Sequence, residues 1–231
     1  MNTSLTRAAF RAARVLAVFG FSATAALAAD QAPGFTMNSH YFTPPGNRAF
    51  VGDSHGDISV SPKGEIYASV QGGTYPGIQV YSAKGRYLRN VPNAPTDLHG
   101  FIIARGQGGE AHIFGVSRLA QKIVELGLDG KVYLSIPADT VIPDKFKEHA
   151  PGKPATNLTG IAVAPNGDIY VVDGYGLSFI HRFDKTGRYI TSFGGAGAPW
   201  NFDQAHKIVI DTRFTPARLL CTDRRHRRLV E

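Results

Sequence analysis

One strand-and-turn pattern, written four times, constrains this chain more than its composition does. The clearest copy opens Leu158-Thr159-Gly160-Ile161-Ala162-Val163-Ala164, turns at Pro165-Asn166-Gly167-Asp168 and continues Ile169-Tyr170-Val171-Val172-Asp173. Its second half is Phe179-Ile180-His181-Arg182-Phe183, a turn at Asp184-Lys185-Thr186-Gly187, and Arg188-Tyr189-Ile190-Thr191-Ser192-Phe193. β-Branched and aromatic residues favour extended backbone, and Asn-Gly or Thr-Gly supplies the positive φ of a tight turn. The stretch therefore predicts a four-stranded antiparallel meander.

Earlier copies run from His55 to Val91 and from Leu98 to Leu134, with turn residues at matching offsets in Pro62-Lys63-Gly64-Glu65, Ala83-Lys84-Gly85 and Leu128-Asp129-Gly130. A fourth opens at Ala205-His206-Lys207-Ile208 and reaches Glu231 before a last strand is written. Four strands in a repeat of about 45 residues mark a β-propeller, in which each blade covers its neighbours. The expected fold is all-β, with blades near 55–91, 98–134, 158–193 and 205–231. Either these belong to a longer ring, which is favoured, or a four-bladed ring is completed by the Pro- and Gly-rich lead-in at 30–54. The stretch from Ile136 to Asn157 reads as an insertion between repeats. Gly194-Gly195-Ala196-Gly197 reads as an inter-blade crossing, with Trp200 and Phe202 packed between sheets.

Residues 1–29 belong to another category. Arg7, Arg11 and Arg14 precede the apolar run Val15-Leu16-Ala17-Val18-Phe19, and small residues close the segment at Ala26-Leu27-Ala28-Ala29. That is a secretory signal peptide, too short and wrongly flanked for a membrane span, and it points to a periplasmic or secreted protein. Its removal takes three arginines and no acid from the formal charge of +7, leaving +4. Much of the excess is Arg224-Arg225-His226-Arg227-Arg228, read as a solvated charge run, and no nucleic-acid partner is expected. With one cysteine, Cys221, no internal disulfide can form. The chain has no Gly-x-Ser-x-Gly elbow, no His-Glu-x-x-His and no phosphate loop.

Aligning the copies puts His55, His99, Thr159 and His206 at one position, directly before the innermost strand. In a propeller that position lies at one mouth of the central channel, so the side chains converge from different blades. Three imidazoles there suit a tetrahedral zinc with an open place for water; equally, they suit a wet channel in which each ring bonds to backbone. Tyr175, in the loop after Asp173-Gly174, can point its phenol at the same mouth and act as acid or base, or simply pack the loop. Asp173 is expected to cap a turn. His40, His112, His149, His181 and His226 do not converge and are read as structural or surface residues.

The run Gly160-Ile161-Ala162-Val163-Ala164-Pro165-Asn166-Gly167-Asp168-Ile169-Tyr170-Val171-Val172-Asp173 with its Lys-Thr-Gly-Arg-Tyr turn resembles the NHL repeat, and the resemblance covers nearly all of His55 to Glu231. It implies a six-bladed propeller. Within that family the chain is most similar to the peptidyl-α-hydroxyglycine α-amidating lyases, through Leu98-His99-Gly100, Ala205-His206-Lys207 and Asp173-Gly174-Tyr175. By that resemblance His99 and His206 would hold zinc and Tyr175 would be catalytic; the lyases carry no zinc His in the first blade, so His55 either replaces the missing third ligand or lines the channel, and calcium is implied by the family alone. The chain departs from the lyases where it has Ala68-Ser69-Val70-Gln71 in place of a catalytic arginine. NHL propellers also serve as binding modules, so two readings stand: a ligand or protein partner bound at the channel mouth, or a metal-dependent lyase.

Overall fold

A computed structural model describes residues 34, 36–150 and 153–231; the expected signal segment at 1–29 lies outside the described residues. The first sheet contains β1 (Ile58–Val60), β2 (Ile66–Val70), β3 (Gly77–Tyr81) and β4 (Tyr87–Asn90), antiparallel and in chain order. The second is built likewise from β5 (Leu98–Arg105), β6 (Ala111–Ser117), β7 (Lys122–Gly127) and β8 (Val132–Pro137). After an excursion come β11 (Gly160–Val163), β12 (Ile169–Val172), β13 (Phe179–Phe183) and β14 (Tyr189–Gly194), then the three-stranded sheet of β15 (Ala205–Asp211), β16 (Arg218–Asp223) and β17 (Arg228–Val230). The four sheets are the blades of a β-propeller.

The excursion is more ordered than the loop expected from its Pro and Gly content. It holds a single helical turn, α1 (Ala138–Val141), a 3-10 turn at Asp144–Phe146 and a hairpin of β9 (Glu148–Ala150) with β10 (Lys153–Ala155). Ala138 and Ile142 are buried in the core between the second and third blades, which anchors the excursion by its apolar side chains. The lead-in does not complete the fourth blade among the described residues. Thr43 bridges to Arg86 and bonds to Gly85 and Tyr87, so it lies against the outer edge of the first blade.

Each gap between blades is filled by inward-facing residues of both. Tyr67, Ile78 and Val80 meet Leu98, Phe101 and Ile113; Phe114, Val116 and Ile123 meet Ile161, Val171 and Phe183; Ala162, Val172 and Ile180 meet Phe202, Ile208 and Cys221. Burying each large apolar side chain contributes roughly 1.5–3 kcal/mol, so neighbouring blades hold one another in place. Phe202 and the parallel-stacked ring of Trp200 plug the last gap, as the crossing after Gly194 anticipates. The tight turns use Gly167 and Gly187, both in the left-handed region, at φ of 88° and 85°.

At the centre the strands run nearly in contact. A Cβ on Gly100 would collide with the Thr159 carbonyl, and one on Gly160 would come within 3.0 Å of the His206 carbonyl. Glycine after the aligned His or Thr thus lets β5, β11 and β15 lie side by side. The fourth blade carries Lys207 there instead, and its ammonium reaches back to pair with Asp57, just before β1.

Candidate functional site

The starts of the inner strands place His55, His99 and His206 around a single atom, the phenolic oxygen of Tyr175. Nε2 of His206 is 3.1 Å from it, Nε2 of His99 3.2 Å and Nε2 of His55 3.3 Å. Neighbouring rings lie 5.0 to 5.3 Å apart, centroid to centroid. Exposure is graded across the group: His99 is buried, His206 and Tyr175 half-buried, His55 exposed.

The third blade, which lacks a histidine, organises the others. The Thr159 carbonyl accepts from Nδ1 of His99 at 2.8 Å, and the Thr159 hydroxyl donates to the His206 carbonyl at 2.7 Å. Tyr175 is aimed by its loop. Asp173, fully buried, accepts from the backbone N–H groups of Asn157 and Leu177, and Tyr175 N–H donates to the Asn157 carbonyl. Gly174 has no side chain because a Cβ would meet the Ala205 carbonyl and the Thr159 hydroxyl.

Because a carbonyl only accepts, Nδ1 of His99 carries a proton, and in the neutral ring Nε2 is then an acceptor. Tyr175 therefore donates to His99, and its two lone pairs take the Nε2–H groups of His206 and His55. This assignment follows from satisfying the whole network. Burial lowers the His99 pKa, and burial followed by repulsion from His99 lowers that of His206 to about 4. These two rings are neutral at pH 7, as the assignment requires. The arrangement can pass a proton from the phenol to His99 while two N–H donors hold the oxygen left behind.

Two arginines near this mouth have no counterpart among the residues expected from the sequence. Arg118 follows β6 directly, with its guanidinium 5.9 Å from the Tyr175 ring centroid, and Arg224 follows β16 directly. Their charges push down His99 and His206 respectively, and neither is in an ion pair among the described residues. The missed signal is positional. Arg118 and Arg224 occupy the same repeat position, the residue directly after the second strand of their blades.

The remaining histidines lie elsewhere. His112 pairs with Glu125 and His226 with Asp223, while His181 is fully buried and bonds to Ser192. Cys221 is a buried thiol, pushed up to about 12 by burial. As for a metal, the phenolic oxygen occupies the point on which the three Nε2 atoms converge. Its distances to them exceed a zinc–imidazole bond by about 1 Å. Among the described residues no group of three or more His, Cys, Asp or Glu stands ready to hold a metal ion.

No family profile and no curated protein matches the chain. A solved streptogramin B lyase superposes on 78% of this chain and 51% of its own at 19% identity, with a TM-score of 0.54. A catalytically inactive virginiamycin B lyase from Staphylococcus aureus matches over 72% of this chain and 47% of its own, at 17% identity and a TM-score of 0.47. A Bacteroides caccae protein of unknown function does so over 75% and 58%, at 15% and 0.46. The chain spans about half the length of these structures. Likeness at this identity shows the fold alone: the chain is a β-propeller, an architecture that some lyases share.

Proposed function

We propose that this chain is an exported NHL-type propeller that binds a small polar ligand at the mouth formed by His55, His99, His206 and Tyr175. One observation carries the reading: three imidazole nitrogens from three blades lie within 3.3 Å of one hydroxyl. Such a group needs ordered donors and acceptors to be held, and it offers them to whatever enters. Arg118 and Arg224 add positive charge at the rim, which favours a ligand with an anionic group. Export is supported by the basic and apolar run of residues 1–29.

The test is an NMR titration of the mature protein, residues 30–231, with a fragment panel of small carboxylates and hydroxy acids, followed through the imidazole resonances. Shifts confined to His55, His99 and His206, and abolished in Tyr175→Phe, are the expected result. A panel that leaves these resonances unmoved would sink the binding reading.

A second reading is a lyase resembling the peptidyl-α-hydroxyglycine α-amidating lyases. It is favoured by a hydroxyl whose proton has an acceptor in His99 and whose oxygen has two N–H donors. Zinc on His55, His99 and His206 remains part of that reading, although the rings as arranged enclose the phenol and not a coordination shell. Assaying the mature protein for glyoxylate release from an acyl-α-hydroxyglycine, with metal analysis of the same sample, separates the two. Turnover lost in Tyr175→Phe supports the lyase; absence of both turnover and bound zinc ends it.

A further inference from the structure

The residue directly after the second strand reads Gln71, Arg118, Asp173 and Arg224 from the first blade to the fourth. Asp173 is turned inward to hold the Tyr175 loop, whereas Arg118 and Arg224, on the blades to either side of it, are exposed. The Arg118 guanidinium carbon lies 5.9 Å from the Tyr175 ring centroid, and the Arg224 charge acts on His206.

Both arginines sit on fixed backbone. Asp97 takes the Ser117 hydroxyl at 2.8 Å and the Leu119 N–H at 2.7 Å, clamping the turn that carries Arg118. Asp223, fully buried, takes the Asp203 N–H and pairs with His226 and Arg228, and the Arg224 N–H donates to the Gln204 carbonyl. These carboxylates are spent inside the protein. Asp57 is likewise held by Lys207 and the Phe101 N–H, and Gln71 donates to the Leu98 carbonyl. Neither guanidinium has an acidic partner among the described residues, although Arg225 of the same charge run pairs with Asp203.

An arginine can take a carboxylate through two parallel N–H bonds. Two unpaired guanidiniums, from the blades that flank Tyr175, therefore fit a ligand with an anionic group at each end. A ligand with one such group would leave one of them unused. We propose that the histidine mouth takes a small dicarboxylate, with one carboxylate on Arg118, the other on Arg224 and the body over Tyr175 and the exposed His55. This rests on the mouth being a binding site and adds the class of ligand.

Calorimetric titration of residues 30–231 with malonate, succinate and glutarate tests it, each beside the monocarboxylate that has a methyl in place of one carboxylate. At least one diacid should bind with a Kd below about 1 mM, and at least about tenfold more tightly than its monocarboxylate. Arg118→Ala and Arg224→Ala change exposed side chains, so each should keep its melting temperature while losing that preference. Arg227→Ala, which removes a charge from the same run, should bind as wild type does. If no diacid outbinds its monocarboxylate, if either of the first two variants keeps the preference, or if Arg227→Ala also loses it, the inference is overturned. A monocarboxylate that moves the imidazole resonances with no preference for a diacid removes this inference and leaves the mouth as a binding site. A diacid that binds with those resonances unmoved removes both.

Discussion

The two ends of the inner strands are made from different parts of the repeat, and they differ accordingly. At the histidine end His55 ahead of β1 and the second residues of β5 and β15 repeat the same chemistry three times, and a loop from the third blade supplies the atom on which they converge. At the other end the lining comes from turns that vary between copies, Gly106-Gln107 in one blade and Pro165-Asn166-Gly167 in the next, so that end is a cavity with one carboxylate and no repeated element. Symmetry of position builds a cluster; breakdown of that symmetry leaves room.

Acid should have the largest effect, through His206 at the histidine end and through His181 buried inside the third blade. Burial holds the fully enclosed His181 down to about 3, and burial with the neighbouring His99 holds His206 down to about 4, against 6.5 in the unfolded chain. The unfolded state therefore binds these protons first as pH falls. Stability is complete above about pH 6.5 and declines below it, by roughly 4 kcal/mol at pH 4 once the half-exposed His206 is discounted for solvent screening. Urea denaturation at pH 7 and pH 4 measures this; His206→Gln should flatten part of the slope, and an unchanged slope would remove the histidine mouth from the account.

Gly100→Ala attacks the close approach beneath that mouth. The new methyl would press on the Thr159 carbonyl, backbone that cannot swing away, and the expected cost is roughly 2–3 kcal/mol. A melting temperature equal to wild type would mean that the inner strands are not held as tightly as the structure has them.

Tyr175→Phe should cost about 1 kcal/mol, since it removes one hydroxyl from a half-buried network and leaves N–H groups that water can partly satisfy. Its sharper readout is local: the imidazole resonances of His99 and His206 should move while Tyr133, whose ring lies tilted against His112 at the other end, stays put in the spectrum. The smallest effect belongs to Arg118→Ala and Arg224→Ala. Stability should stay within about 0.5 kcal/mol of wild type. Removing the first cation should raise the midpoint of His99 and removing the second that of His206, as seen by NMR titration, because each charge now opposes protonation.

Legibility in the sequence followed periodicity. Alternating runs punctuated at constant offsets specify hairpins whatever surrounds them, so the strands and the common position of His55, His99 and His206 were readable. The excursion after Ile136 was not, because its order comes from Ala138 and Ile142 entering a core made by other blades. Arg224 reads as part of a solvated charge run and Arg118 carries no signal of its own, because nothing local distinguishes a guanidinium beside a mouth from one in bulk water. The lead-in at Thr43 likewise found its partner in Arg86 through space.

By itself the sequence determined the β-propeller and which residues form its tight turns, since these depend on local backbone preference repeated along the chain. Only the tertiary structure decided that Tyr175 stands between three imidazoles, that Thr159 ties His99 to His206, and that Glu125 pairs with His112 in the lining of a cavity. Those outcomes depend on how blades pack against one another, and distances between blades are set by side-chain volumes and glycine contacts far apart in the chain.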